Sequence, residues 1–207
     1  MGRLLAICCV LAFAAGAQAQ INHPYNEVGI YTVEQPVGCE TAQIDVPPVT
    51  PFTCYVVLTN PHNETLDRPV TTVGGYEFRL EIPGTVYLTQ ADFGPCMPPW
   101  FTGPDFLVGC PLPVTDGYVR LLGLRLMAMT GGPDLVYLTP VRDAPQSISG
   151  EMAFWDLDDD FSLHVMHPVS GSHDLPVFAI NWDGELSFCE TVPTRDASFG
   201  EVKALYR

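Results

Sequence analysis

Short stretches of this chain alternate apolar and polar residues, and turn-forming residues interrupt them at close intervals. In Tyr76 to Ile82, "YEFRLEI", the apolar Tyr76, Phe78, Leu80 and Ile82 share one face, and Glu77, Arg79 and Glu81 share the other. Successive side chains of a strand point to opposite sides, so this spacing predicts a strand with one buried and one wet face. Further strands are expected over 54–60, 85–89, 105–110, 118–129, 135–141, 151–156, 161–167, 177–182 and 185–190, each rich in Val, Leu, Tyr, Phe or Thr. Between them fall Asn60-Pro61, Gly74-Gly75, Pro83-Gly84, Gly103-Pro104, Asp116-Gly117, Gly131-Gly132-Pro133 and Asp183-Gly184, all turn formers. Asp183-Gly184 lies between two apolar runs and is a hairpin signal. The expected fold is all-β: an immunoglobulin-like or jelly-roll β-sandwich of about ten antiparallel strands. The C-terminal segment departs from this pattern. Ser198 and Glu201 form a capping box ahead of helix formers, so 193–207 reads as a short helix or a tail.

The order and spacing of "YVVLTN", "GGYEFRLEIPG", "DFLVGC" and "YVRLLGLRLMAM" resemble the cohesin-like and related carbohydrate-binding-like β-sandwiches of secreted bacterial proteins, over roughly residues 39 to 142. The resemblance implies an extracellular binding sandwich. The segment after "GGYEFRLEIPG" lacks the Tyr-Asp-Pro turn of that family, the stretch from Cys96 to Cys110 looks inserted, and 143–207 extends past the usual end. These departures weigh against a dockerin-type partner in particular.

Residues 1–19 carry Arg3, an apolar run and small residues at Ala17 and Ala19, the marks of a signal peptide cut before Gln20. That assigns 20–192 to a single β-sandwich domain and places the mature protein outside the cytoplasm, periplasmic or extracellular. No segment has the length of apolar chain a membrane-spanning helix needs. The formal net charge is −15, and loss of Arg3 makes it more negative still. Such a surface repels nucleic acid, whose binding needs clustered Lys and Arg.

Of seven cysteines, Cys8 and Cys9 leave with the signal. In an oxidising compartment the remaining five are read first as disulfides, with at least one thiol left over. The expected pairs are Cys39 with Cys54 and Cys96 with Cys110, each closing a short loop. No C-x-x-C pair supports structural zinc.

The densest chemistry is "DLDDD", with "LHVMH" shortly after it. Counted as a calcium loop, Asp156, Asp158 and Asp160 occupy ligand positions, but Phe161 stands where the turn glycine belongs and His167 where the bidentate Glu belongs. A calcium ion on these three aspartates is one expectation, and a solvated turn between strands is the other. Otherwise no cofactor is expected. His164 and His167 fall on opposite faces of a strand, which separates them as metal ligands. "SGSHD" places Ser, His and Asp side by side, where a triad needs them to converge from different elements. No G-x-S-x-G elbow occurs. Trp100 and Phe101 sit in a Pro-rich loop that a Cys96–Cys110 bridge would hold rigid, a candidate aromatic ligand site. Asn63-Glu64-Thr65 matches a glycosylation sequon.

The functional expectation is a secreted, noncatalytic binding or structural module for an extracellular protein or carbohydrate. The alternatives are a carbohydrate-active hydrolase, whose paired carboxylates leave no local pattern, and a calcium-stabilised adhesin-like domain.

Overall fold

The computed structural model describes residues 24–82, 84–96 and 100–189, without the side chains of 100–102. The expected signal peptide, 1–19, and C-terminal helix or tail, 193–207, lie outside the described residues. Fourteen strands are present in them: β1 Glu27–Tyr31, β2 Gln43–Ile44, β3 Thr50–Thr59, β4 His62–Asn63, β5 Arg68–Pro69, β6 Thr72–Glu81, β7 Val86–Asp92, β8 Trp100–Thr102, β9 Asp105–Pro113, β10 Tyr118–Ala128, β11 Asp134–Thr139, β12 Met152–Asp156, β13 Ser162–Pro168 and β14 Phe178–Ile180. A 3-10 turn, Cys39–Ala42, precedes β2.

The strands form a sandwich. One layer runs β1-β3-β10-β7, and the other contains β8-β9-β6-β12-β13. The layers join where β13 lies parallel to β1, and β11 continues from the far end of β6 to β14 and β2. Two pairings, β1 with β13 and β14 with β2, are parallel, so the all-antiparallel expectation is corrected at those two places.

Period-2 patterning accounts for the core. Val56 and Leu58 of β3 and Leu122, Leu124 and Leu126 of β10 meet Tyr76 and Phe78 of β6, Phe106 of β9 and Phe154 of β12 in one apolar cluster. Removing one such large side chain from water is worth about 1.5 to 3 kcal/mol. Both Leu121 and Leu122 are buried because a bulge in β10 between Arg120 and Leu122 re-aims the strand. The opposite face of β3 carries Val57 into a second, smaller cluster with Tyr31, Ala42, Ala179 and Leu186.

Three expectations about local structure are revised. Gly74-Gly75 is no turn: both residues lie inside β6, where a Cβ on Gly75 would stand 2.6 Å from the Val108 carbonyl oxygen, so glycine permits the close approach of β9. The wet face of β6 is only partly wet. Glu77 is fully buried, its carboxylate accepting hydrogen bonds from Ser147 N and Ser147 Oγ, both at 2.7 Å, because the segment after β11 folds over that face. The Asp183-Gly184 hairpin does not form. β14 already pairs with β11 on one side and β2 on the other, and Asn181 turns left-handed at its end, accepting a 2.7 Å hydrogen bond from Val46 N. The chain over 185–189 is therefore not a strand.

Candidate functional site

The two layers leave a cleft of about 610 Å³ lined by the end of β6 (Arg79, Leu80, Glu81) with the following Ile82, by Leu88 of β7, and by Gly103 and Pro104 of the β8–β9 turn. Strand β7 is the last of its layer and β8 the last of the other, so the cleft opens where two sheet edges face each other without pairing. Strand alternation directs Leu80 inward to the core, while Ile82 and Leu88 pack only partly against it. The result is an aliphatic floor with a charged rim.

That rim is built from buried support. Asp105, whose side chain is fully buried, accepts a 2.9 Å hydrogen bond from Arg79 Nη1 through Oδ1. Its Oδ2 accepts from the backbone N–H groups of Arg142, Asp143 and Ala144 at 3.1, 2.6 and 3.2 Å. One carboxylate thus fixes both the guanidinium and the loop behind it. Arg79 Nη1 also donates to Asp143 at 2.9 Å, and this bond, against some desolvation and with help from Asp105, raises the guanidinium pKa above its ordinary value. Glu81 lies 2.9 Å from Arg142 and 3.4 Å from Arg79. Glu81 is the carboxylate among the described lining residues, and two arginines pair with it. A glycosidase needs a pair of carboxyl groups spanning the bond, one of them free to carry a proton, and the described lining supplies no such pair.

Trp100 and Phe101 belong to β8, not to a loop: they pair with Leu107 and Phe106 in a tight hairpin that turns at Gly103-Pro104. Their side chains lie outside what is described. The Cys96–Cys110 disulfide does form, with Cα atoms 5.4 Å apart, and ties the approach to this hairpin to β9. Closing that loop is worth about 3 kcal/mol in the chain-entropy model.

The acidic run occupies the β12–β13 turn, and the carboxylates of Asp156, Asp158 and Asp159 accept from protein donors. Asp156 is fully buried: Oδ2 accepts from Asn63 Nδ2 at 2.9 Å and Arg68 Nη2 at 3.1 Å, and Oδ1 accepts from Asp158 N at 2.9 Å. Asp158 turns to the strand that follows β5. Its Oδ2 accepts from Thr71 N, Thr71 Oγ1 and Thr72 N at 2.8, 2.7 and 3.1 Å. Burial pushes the Asp158 pKa up, but these bonds outweigh it and the net shift is downward. Asp159 accepts from Asn63 at 3.0 Å, and that bond leads the causes that lower its pKa. Asp160 is exposed in a left-handed turn. Among the described residues no three acidic, His or Cys side chains converge on a metal position, and Asp156 and Asp158 turn to different protein partners. The turn seals the end of β6 instead.

Three of the histidines also separate. His164 is buried with Nε2 3.0 Å from Ser162 Oγ and its ring tilted against Phe154. His167 is half-buried on the other face of β13. His173 lies near the Leu138 carbonyl and Glu151. "SGSHD" is a turn in which Ser170 Oγ donates to the carbonyls of Ser172 and Leu175. Asn63 of the sequon is fully buried with its amide committed to Asp156 and Asp159.

The expected Cys39–Cys54 bridge is not formed, and both are free thiols. Cys54 faces the main core at 0% exposure, whereas its neighbour Tyr55 packs on the second cluster across the sheet. Cys39 opens the 3-10 turn whose Ala42 belongs to that second cluster, so the bridge would have to pass through β3.

No family model matches the sequence, and no curated protein does. Among solved structures the chain is similar to cohesin modules. One comes from a Clostridium perfringens ATCC13124 family 33 glycoside hydrolase, at 11% identity over 68% of this chain and 88% of that one, with a TM-score of 0.42. A non-cellulosomal cohesin from the hyperthermophilic archaeon Archaeoglobus fulgidus aligns at 12% identity over 64% of this chain and 80% of that one, with a TM-score of 0.36. The sixth cohesin of Acetivibrio cellulolyticus scaffoldin B, solved in complex with a mutant Cel5 dockerin, aligns at 11% identity over 76% of this chain and 98% of that one, with a TM-score of 0.41. Each is a likeness in strand arrangement and brings no ligand with it. No helix among the described residues is long and apolar enough to cross a membrane.

Proposed function

We propose that this protein is a secreted, noncatalytic binding module that takes a segment of a partner protein in the cleft between β7 and the β8–β9 turn. The observation that carries the reading is the aliphatic floor of that cleft, with Leu80, Ile82 and Leu88 opening beside a rim whose charges are already paired. Recognition by an apolar floor and a polar rim is the anatomy of a protein interface. Sugars favour flat aromatic faces, and the described floor is aliphatic, so a peptide segment suits it better. The net charge of −15 favours a partner with Lys or Arg flanking its aliphatic anchor. The Cys96–Cys110 disulfide supports an oxidising location.

The test is a selection of displayed random peptides on the exported protein, with a parallel screen on a glycan array. The expected result is enrichment of aliphatic peptides with basic flanks, lost on Leu88→Gln while the far-UV spectrum is unchanged. Enrichment that survives Leu88→Gln, or retention of glycans alone, would overturn the reading.

A further inference from the structure

Two thiols lie beside the second, smaller cluster. Cys39 begins the 3-10 turn ahead of β2, and Cys189 ends the turn that follows β14. The two thiols lie near enough to act on each other. Both act on the buried Tyr31 hydroxyl, so the three groups occupy one neighbourhood. The backbone around each is tied down independently. Thr32 N donates to the Thr41 carbonyl at 2.7 Å and Thr41 Oγ1 to the Gly38 carbonyl at 2.8 Å, while Cys189 N donates to the Leu186 carbonyl at 2.8 Å. Leu186, Ala42 and Tyr31 pack together beneath, with Cys189 against them.

The geometry points to a second disulfide of the exported protein, Cys39–Cys189, formed by oxidation of this thiol pair. The reaction needs an external oxidant, a small-molecule or protein disulfide such as glutathione disulfide. The Cys39 thiolate attacks one oxidant sulfur and expels the other as a thiolate, giving a mixed disulfide. Cys189, losing its proton, then attacks the Cys39 sulfur and releases the second oxidant thiolate. Both electrons end on the oxidant, and the two protons lost by the cysteines appear on its two thiols. Burial first, and then Cys39 beside it, push the Cys189 thiol up to about 12, so Cys189 acts second, as the resolving sulfur.

This pairing accounts for the odd cysteine. With Cys96–Cys110 closed, it leaves only Cys54, buried in the main core where burial pushes its thiol pKa far up and no oxidant reaches. It also has a structural purpose. The parallel pairing of β2 with β14 spans two residue pairs, Gln43 with Ala179 and Ile44 with Ile180, too few to hold by themselves. Most of the strands lie between Cys39 and Cys189 in sequence, so the bond would tie the turn ahead of β2 to the last described residues.

The experiment is disulfide mapping of the full chain exported with its own leader. The protein is alkylated unfolded, before any reduction, and then cut with trypsin and an Asp-specific protease. Asp45 separates Cys39 from Cys54, which no Lys or Arg does. The expected result is a Cys39 peptide joined to a Cys189 peptide, with Cys54 alone alkylated among the cysteines after residue 20. Recovery of Cys189 alkylated, or joined to Cys54 or to a second chain, would overturn it. Unfolding midpoints give a second readout. Cys39→Ser, Cys189→Ser and the double variant should lose the same number of degrees, because each removes one shared bond. Additive losses would mean two separate packing roles and no bond.

Discussion

The β12–β13 turn and the cleft beside β7 make opposite use of their surroundings. The turn has the highest density of charge in the chain, and Asn63, Arg68, Thr71 and Thr72 engage its carboxylates at Asp156, Asp158 and Asp159. The cleft is sparsely charged, its ions are paired with one another, and its aliphatic floor is left open. Charge density in sequence therefore locates a structural clasp, and unsatisfied apolar surface locates the candidate site. A carboxylate whose lone pairs already accept several protein hydrogen bonds has little left for a ligand.

The largest effect that sharpens this contrast is expected at the turn. Asp156→Ala leaves Arg68 and Asn63 facing a buried void and should destabilise the fold by about 3 kcal/mol, the low end for removing one partner of a buried ion pair because Arg68 is partly exposed. Urea unfolding measures it, and peptide capture by the folded fraction should be unchanged. The reverse profile is expected at the cleft. Leu88→Gln should abolish capture at a stability cost of about 1 kcal/mol, since Leu88 is only half-buried. If the two variants exchanged profiles, the assignment of clasp and site would be inverted.

A smaller effect belongs to pH. Burial lowers the pKa of His164 below its ordinary 6.5, so between the native value and 6.5 the unfolded chain binds a proton the native one refuses. Stability should be full above that window and fall as pH drops through it. Urea midpoints at about pH 7.5 and about pH 5.5 straddle the upper edge of the window around the ordinary His value, and His164→Gln should flatten the difference. Asp158 and Asp92, both lowered, lose their contribution in a separate window below the ordinary carboxylate value of 3.8. The smallest expected effect is that of calcium. Unfolding midpoints in EDTA and in excess calcium should coincide, whereas an ion bound only to the folded state would add about 2.7 kcal/mol at a hundredfold excess over Kd.

Much of the fold was legible. Nine of the ten runs expected from alternation correspond to strands, with ends displaced by a few residues, as in Thr50–Thr59 against 54–60. The run at 185–190 failed because a hairpin needs a free strand edge, and β11 and β2 occupy both edges of β14. Very short strands such as β2 and β5 carry no period to read. Burial of Glu77 was hidden because its partner, Ser147, lies 70 positions away in sequence. The candidate site was barely legible: Leu80, Leu88 and Pro104 belong to unremarkable strands and a turn, and nothing local marks them as neighbours.

What the sequence determined by itself was the all-β class, the apolar face of β6 that faces the core, the poverty of basic residues and the closeness of Cys96 to Cys110. All of these follow from alternation, composition or short separation along the chain. Tertiary structure decided the rest: that Cys39 meets Cys189 and not Cys54, that the acidic run is a clasp, and that two unpaired sheet edges leave an aliphatic cleft. Each of those outcomes depends on segments brought together from far apart, where hydrogen bonds and packing across the sandwich select partners that sequence spacing does not encode.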